Sequence, residues 1–265
     1  MALSPKPALD RETLRDTIDL ALWAGQLLMQ HGAETQLVES STHYIGTQLG
    51  CDWLDVFVSP NAITITANSG GEFRTKTRRI ILQAPNMTIV YKIANMEERL
   101  IDKGGLTHAN VRADLAYISA QPRAYKKRTV VLMVGLACAA FSQLFGGDWG
   151  AFAITFIAAS TAMFVRQQLA LRHFNNLLIT IITAFVAGVL AGALIQTGWS
   201  QTPRAALASA VLLLVPGVPL INAAEDLIKG YTVTGLARGI TGGLVSLAIA
   251  LGLLAALTLM GVSGI

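Results

Sequence analysis

Charge is divided so unevenly along this chain that one kind of fold cannot serve both halves. Residues 1–128 hold 15 Lys/Arg and 13 Asp/Glu, whereas residues 129–265 hold 5 and 3. A water-facing surface needs charged side chains that the second half does not have, which excludes a wholly soluble globular protein. Hydrophobic residues make up 53% of the chain and its mean hydropathy is +0.53, so disorder is excluded for that half too. The expectation is an α-helical integral membrane protein with about five transmembrane helices and an N-terminal cytoplasmic α+β domain. The domains would be residues 1–125 and 126–265.

Five apolar stretches, at 129–147, 149–165, 177–198, 204–224 and 239–262, each approach the ~20 residues that cross a bilayer core as helix. The second is the shortest. Arg123, Lys126, Lys127 and Arg128 precede the first stretch, and Arg166, Arg172 and His173 follow the second. Lys229 and Arg238 lie between the fourth and fifth. The alternate connections carry only Asp148, or Trp199 with Arg204. Positive-inside counting predicts a cytoplasmic N-terminus, five spans and an outward C-terminus, with Trp149 and Trp199 at the outer interface. The basic cluster reads as a membrane edge rather than a nucleic-acid patch. The segment Met1–Glu12 has no apolar core, so no cleaved signal peptide is expected.

In the polar half, Leu14, Ile18, Ala21, Leu22, Gly25, Leu28 and Met29 recur at helical spacing over 11–31. A second helix is predicted over 34–49. The period then changes to strand-like runs at 53–58, 62–67 and 73–82, separated by Pro60-Asn61 and Asn68-Ser69-Gly70-Gly71. Helices over 86–103 and 107–121 follow, the last with Thr107 as its N-cap. The order is αα-βββ-αα.

Several chemistries have no residues here to carry them. There is no Gly-x-Ser-x-Gly elbow, Walker A loop or dinucleotide fingerprint. Cys51 and Cys138 lie in unlike settings, and no Cys/His spacing suits zinc. Neither enzymatic activity, a cofactor nor a bound metal is expected.

The fourth apolar stretch carries the strongest functional signal. It reads Val215-Pro-Gly-Val-Pro-Leu-Ile-Asn222, followed by Glu225, Asp226 and Lys229. Pro216 and Pro219 each remove a backbone N–H, and with Gly217 between them they should interrupt the helix about 18–20 Å into the bilayer. Pro219 is placed to start a new half-helix, whose positive end can hold a carboxylate at mid-membrane. Asn222 and Asp226 share a face at i,i+4, and acids at such depth are functional candidates. The alternatives are a packing kink without a site, and acids that merely cap the span in water.

These residues, with Gly230, Gly235, Arg238 and Gly239, resemble the signature of the threonine/serine exporter family. Gly32-Ala33-Glu34-Thr35 with Val38-Glu39 is similar to that family's Gly-Ala-Glu motif, although Gln36 stands where a basic residue is expected. Ser59-Pro60-Asn61 and Val90 to Gly105 keep the family's order. A second bundle of similar size is absent, so the chain resembles the larger subunit of the split, two-protein form. That resemblance implies a secondary-active exporter subunit in the bacterial inner membrane, and charge counting puts its N-terminus in the cytoplasm and its C-terminus in the periplasm. It would be oligomeric and paired with a small all-membrane partner. It would export threonine/serine or dicarboxylates such as succinate. Substrate binding would fall to Pro216, Gly217, Pro219, Asn222 and Asp226, and gating or coupling to Glu225, Lys229 and Arg238. The competing readings are a ligand-sensing or structural subunit that regulates a partner channel, and a membrane-anchored enzyme.

Other features have plainer expectations. Gly188-x-x-x-Gly192 and Gly235, Gly239 and Gly243 are small-residue faces for helix packing. Arg74, Lys76 and Arg78 share one strand face, expected to be solvated. Arg166 and Arg172 are expected to anchor topology. Glu39 and His43 share a helix face, with Glu34 nearby, expected as surface.

Overall fold

The computed structural model describes residues 6–121 and 125–261; Arg123 and Val262, which the sequence reading places at two membrane edges, lie outside them. Packing divides the chain into two units: Met1–Pro122 with Val218–Ile240, and Arg123–Gly217 with Thr241–Ile265. Residues 218–240, apolar by sequence, thus group with the polar half.

The first unit begins with helices α1 (Arg11–Gln30) and α2 (Thr35–Gln48). Leu14, Ile18, Ala21, Leu22, Leu28 and Met29 are all buried, as their spacing requires. Strands β1 (Trp53–Ser59), β2 (Ala62–Ser69) and β3 (Glu72–Arg79) form an antiparallel sheet in the order β1-β2-β3. Ile63, Ile65 and Ala67 are buried while Thr64 and Thr66 face the other side, where they bond Thr77 and Thr75 at 2.9 Å. The pairing sets Arg78, Lys76 and Arg74 opposite Ile63, Ile65 and Ala67. These basic side chains therefore stand on the core side of the edge strand. Their stems cover apolar surface and their heads reach α1. Lys76 and Arg78 pair with Asp19, and Arg74 donates to the Arg11 carbonyl.

Two local expectations are corrected. Strand β3 stops at Arg79, because residues beyond it bond to other segments: the N–H of Ile80 to Asn61 O and that of Gln83 to Gln30 O. The helix expected over 86–103 is divided into α3 (Met87–Ala94), α4 (Met96–Leu100) and a 3-10 turn, Ile101–Lys103. Asn95 ends α3, its side-chain amide donating to Tyr91 O, and Arg99 fills the Lys92 carbonyl with two N–H groups. Helix α5 (His108–Ser119) starts as predicted, with Thr107 accepting from the N–H of Asn110.

The second unit contains α6 (Lys127–Leu144), α7 (Trp149–Leu171), α8 (Asn176–Gln196) and α9 (Pro203–Ala210). After α9 comes a 3-10 turn, Leu212–Leu214. Helices α10 (Gly217–Ile228) and α11 (Thr232–Leu259) complete the chain. Helices α6, α7, α8 and α11 are long and apolar enough to cross a membrane, and α9 with α10 makes a fifth if the broken pair is counted as one span. The second span is longer than the stretch 149–165 suggested. It runs to Leu171, because Arg166 and the two glutamines after it are good helix formers that do not end a helix. The fifth span starts at Thr232 rather than 239.

The bundle is held by small residues. A Cβ on Gly188 would press on Ala256 and Leu253, and one on Gly135 would overlap Ser160. The small faces thus serve packing within the chain at Gly188, whereas Gly243 faces open space. Asp148 caps α7, accepting from Ala151 N at 2.6 Å. It also takes the backbone N–H of Gln201 at 2.6 Å and the Ser200 hydroxyl at 2.8 Å. One carboxylate therefore fixes two connections.

Candidate functional site

The break in the fourth span is real, and its chemistry follows from the two prolines. Val215 takes the extended conformation (φ −57°, ψ 124°) demanded before Pro216. Helix α10 starts at Gly217, two residues before the expected Pro219. A proline in the first turn is tolerated, since its missing N–H would have no helical partner there.

Beyond the break, Asn222 and Asp226 of α10, and Lys229 just past its end, follow one another at i, i+4 and i+7. These side chains meet the loop between α1 and α2. Gly32 turns the chain out of α1 at φ +88°, a conformation few other residues adopt. The Asn222 side-chain amide donates to Gly32 O at 2.9 Å. Helix α2 has Glu34 at its N-cap position, but the Glu34 side chain makes no capping bond. Asp226 caps it instead. Thr35 N–H donates to Asp226 Oδ1 at 3.0 Å, and Thr35 Oγ1 to Oδ2 at 2.9 Å. The helix dipole adds to this placement of a carboxylate.

Asp226 is completely buried, so its charge needs a partner. Arg238 provides it, with Nη1 3.0 Å from Asp226 Oδ2, while Nη2 donates to Ala33 O at 3.0 Å. Gly230 (φ +86°) reverses the chain after α10, and the N–H of Tyr231 returns to Asp226 O at 2.8 Å. Gly235 lets α11 approach α10 closely, for a Cβ there would lie 3.0 Å from Ala223 O. Arg238, three residues on, is thereby brought to Asp226. Lys229 bridges Glu34 and Glu225, the latter at 2.7 Å, and Tyr231 donates its hydroxyl to Glu39.

Each residue of Gly32-Ala33-Glu34-Thr35 is thus engaged by a residue of 222–238. The structure brings together Asn222, Asp226, Glu225, Lys229 and Arg238. It leaves Pro216, Gly217 and Pro219 at the break, where a Cβ on Gly217 would meet nothing within 4 Å. Glu39 and His43 bond different partners: Tyr231 donates to Glu39, and His43 Nδ1 lies 2.7 Å from Leu54 O. Thr35 and Tyr231 are participants that the sequence reading did not single out. Thr35 adjoins the Gly-Ala-Glu motif, which was the available signal; Tyr231 had none. Among the described residues no group of three or more His, Cys, Asp or Glu side chains could hold a metal. The arrangement is a lock in which both carboxylate oxygens of Asp226 are occupied.

A family model described as "Putative threonine/serine exporter" matches residues 19–260. The chain is 39% identical over 261 residues to the Escherichia coli K12 protein named "Probable succinate transporter subunit YjjP", covering 97% of this chain and 99% of that one. The Klebsiella aerogenes protein of the same name is 37% identical over 260 residues, covering 96% and 98%. A "Threonine/serine exporter" of Corynebacterium glutamicum is 24% identical over 255 residues, which are 92% of this chain and 52% of that protein. No solved structure matches. The chain belongs to the threonine/serine exporter family.

Proposed function

We propose that this chain is one subunit of a secondary-active exporter of small carboxylate metabolites, and that the lock around Asp226 is its cytoplasmic gate. The α+β unit would lie in the cytoplasm and the bundle in the bacterial inner membrane, with the C-terminus periplasmic. A small all-membrane partner would complete the pathway, and the assembly would be oligomeric. The word "subunit" and the substrate in the E. coli relative's name support this reading, as does the family. No nucleophile–base pair emerges at the site, which favours transport over catalysis.

The observation that carries the gate is the capping of α2 by Asp226, backed by Arg238. The cap ties the segment directly after the break to the soluble fold. The substrate carboxylate docks at the half-helix opening formed by Pro216, Gly217 and Pro219. Opening requires Asn222 and Asp226 to leave Gly32 and Thr35, which frees them for the substrate. Asp226 then reads an ammonium or carries the coupling proton, while Glu225 and Lys229 restore the closed state through Glu34. Alternating access follows from movement against the partner bundle.

The test is efflux from preloaded, energised vesicles, with the chain alone and with a candidate partner, using labelled threonine and succinate in parallel. Asn222→Ala and Asp226→Asn should lower efflux at least tenfold at wild-type protein levels. Normal efflux by both variants would overturn the gate. No efflux of either label by wild type with its partner would favour a ligand-sensing subunit instead.

A further inference from the structure

The broken span leaves a carbonyl without its helical donor, and a half-buried cation has come to it. In a continuous helix the Gly217 N–H would bond Leu213 O. Here Gly217 donates to Val215 O at 2.9 Å, and Val215 to Leu212 O at 3.2 Å. Leu213 O is left over, and Arg166 Nη1 of α7 donates to it at 3.3 Å. A topology anchor would turn its guanidinium outward to headgroups and water. Arg166 is half-buried and turns inward, toward the N-terminal end of its own helix as side-chain geometry favours.

One long carbonyl contact does not satisfy a guanidinium, which has five N–H donors and a full charge. No Asp or Glu lies within ion-pair distance of Arg166 among the described residues. The second unit contains one acid in its sequence, Asp148. It is 18 residues away, about 27 Å along α7, and is committed to Ala151, Ser200 and Gln201. A half-buried cation in an apolar bundle, without a resident counter-charge, is costly and is a functional candidate. Two further polar groups, the hydroxyls of Ser160 on α7 and Ser209 on α9, are buried without partners. Along their helices they lie between the Arg166–Leu213 contact and the Thr155 Oγ1 to Ala206 O bond at 3.3 Å.

We infer that Arg166 is a binding residue for the carboxylate of the exported metabolite, which supplies the missing counter-charge at the break. This rests on the carboxylate-exporter reading above. The planar guanidinium suits a carboxylate in the two-pronged manner an ammonium cannot copy. Threonine and succinate share the group, so the inference covers both.

The experiment is the concentration dependence of succinate and threonine efflux by wild type, Arg166→Lys and Arg166→Gln, each with the partner subunit. Thermal protection by succinate is measured on the same preparations, with the neutral succinamide as control. Arg166→Gln keeps a side-chain N–H for Leu213 O but loses the charge. Its half-saturating concentration should rise at least about tenfold and its protection by succinate should disappear, with Arg166→Lys intermediate. If Arg166→Gln is too slow for efflux kinetics, protection alone decides. An unchanged half-saturation or unchanged protection in Arg166→Gln overturns the inference, as does equal impairment of the Lys and Gln variants, which would mean that Arg166 only closes the helix break. Wild type that neither exports nor is protected by either carboxylate refutes the exporter reading itself.

Discussion

Asp226 caps helix α2 through Thr35, a residue 191 positions earlier in the chain. The cap, its counter-ion Arg238 and the amide of Asn222 close around one loop, and each bond can be removed separately.

The Asp226–Arg238 pair should show strong coupling. Asp226→Asn leaves Arg238 buried without its partner and should destabilise by about 3–5 kcal/mol. Arg238→Gln does the same to Asp226. The double variant should cost less than the sum of the two, by about 1–3 kcal/mol. Denaturant melts of the purified protein in detergent measure the cycle, and additive losses would show that the pair contributes no coupling.

Loss of the Thr35 hydroxyl is a gentler test. Thr35→Val keeps the backbone N–H bond to Asp226 and removes the Oγ1 bond, leaving Oδ2 to Arg238 alone. The expected cost is about 1–2 kcal/mol, seen as a lower melting temperature with no change in helix content.

The two glycines Gly150 and Gly46 should respond differently to a single added methyl. At Gly150 the Cβ would overlap the Trp199 carbonyl and press on Ser200 Cα, both backbone, which have no rotamer to change. At Gly46 it would meet the end of the flexible Leu54 side chain. Gly150→Ala should therefore lose about 1–3 kcal/mol more than Gly46→Ala, by melting temperature and folded yield.

Asp148 gives the bundle an acid dependence. Backbone N–H bonds from Ala151 and then Gln201, with the Ser200 hydroxyl, hold its carboxyl at about 2, below the ordinary 3.8. A depressed carboxyl contributes stability that is present above the ordinary value and is lost as pH falls through 3.8 toward 2. Asp148→Asn should have a lower melting temperature at neutral pH and a flatter profile between pH 4 and 2.

Tyr231 titrates in the opposite sense. The hydrogen bond to Glu39 pushes its phenol up to about 12. The neutral form is favoured in the fold, so its contribution is complete below pH 10 and lost as pH rises through 12. The ultraviolet titration of wild type minus that of Tyr231→Phe should show one tyrosine ionising about two pH units late.

Local order was legible because it is periodic. Leu14 to Met29 and Ile63 to Ala67 declare their faces within a few residues, and Pro216 and Pro219 announce a break by chemistry alone. Asn222 and Asp226 declare a shared face in the same way. What they face was not legible, since Gly32–Thr35 lies about 190 residues upstream and no local rule links the two. The Arg166–Leu213 contact was not legible for a similar reason. The position of Arg166 at the end of an apolar run fits an anchor, and the carbonyl it reaches is left over by a helix break about fifty residues later. Lys76 and Arg78 read as solvated because alternation shows that they share a face, but not that Asp19 of α1 lies against it.

The distance between Thr35 and its cap also has a consequence in time. Chains are made at about 5–20 residues per second, so α2 emerges roughly 10–40 s before Asp226 exists. Until then the first turn of α2, Gly32 O and Ala33 O have only water for partners. The soluble domain of a nascent chain is therefore unfinished while the earlier spans are already being inserted. A product truncated before residue 217 carries that loop open, which is a chemical difference by which quality control can tell it from a finished subunit.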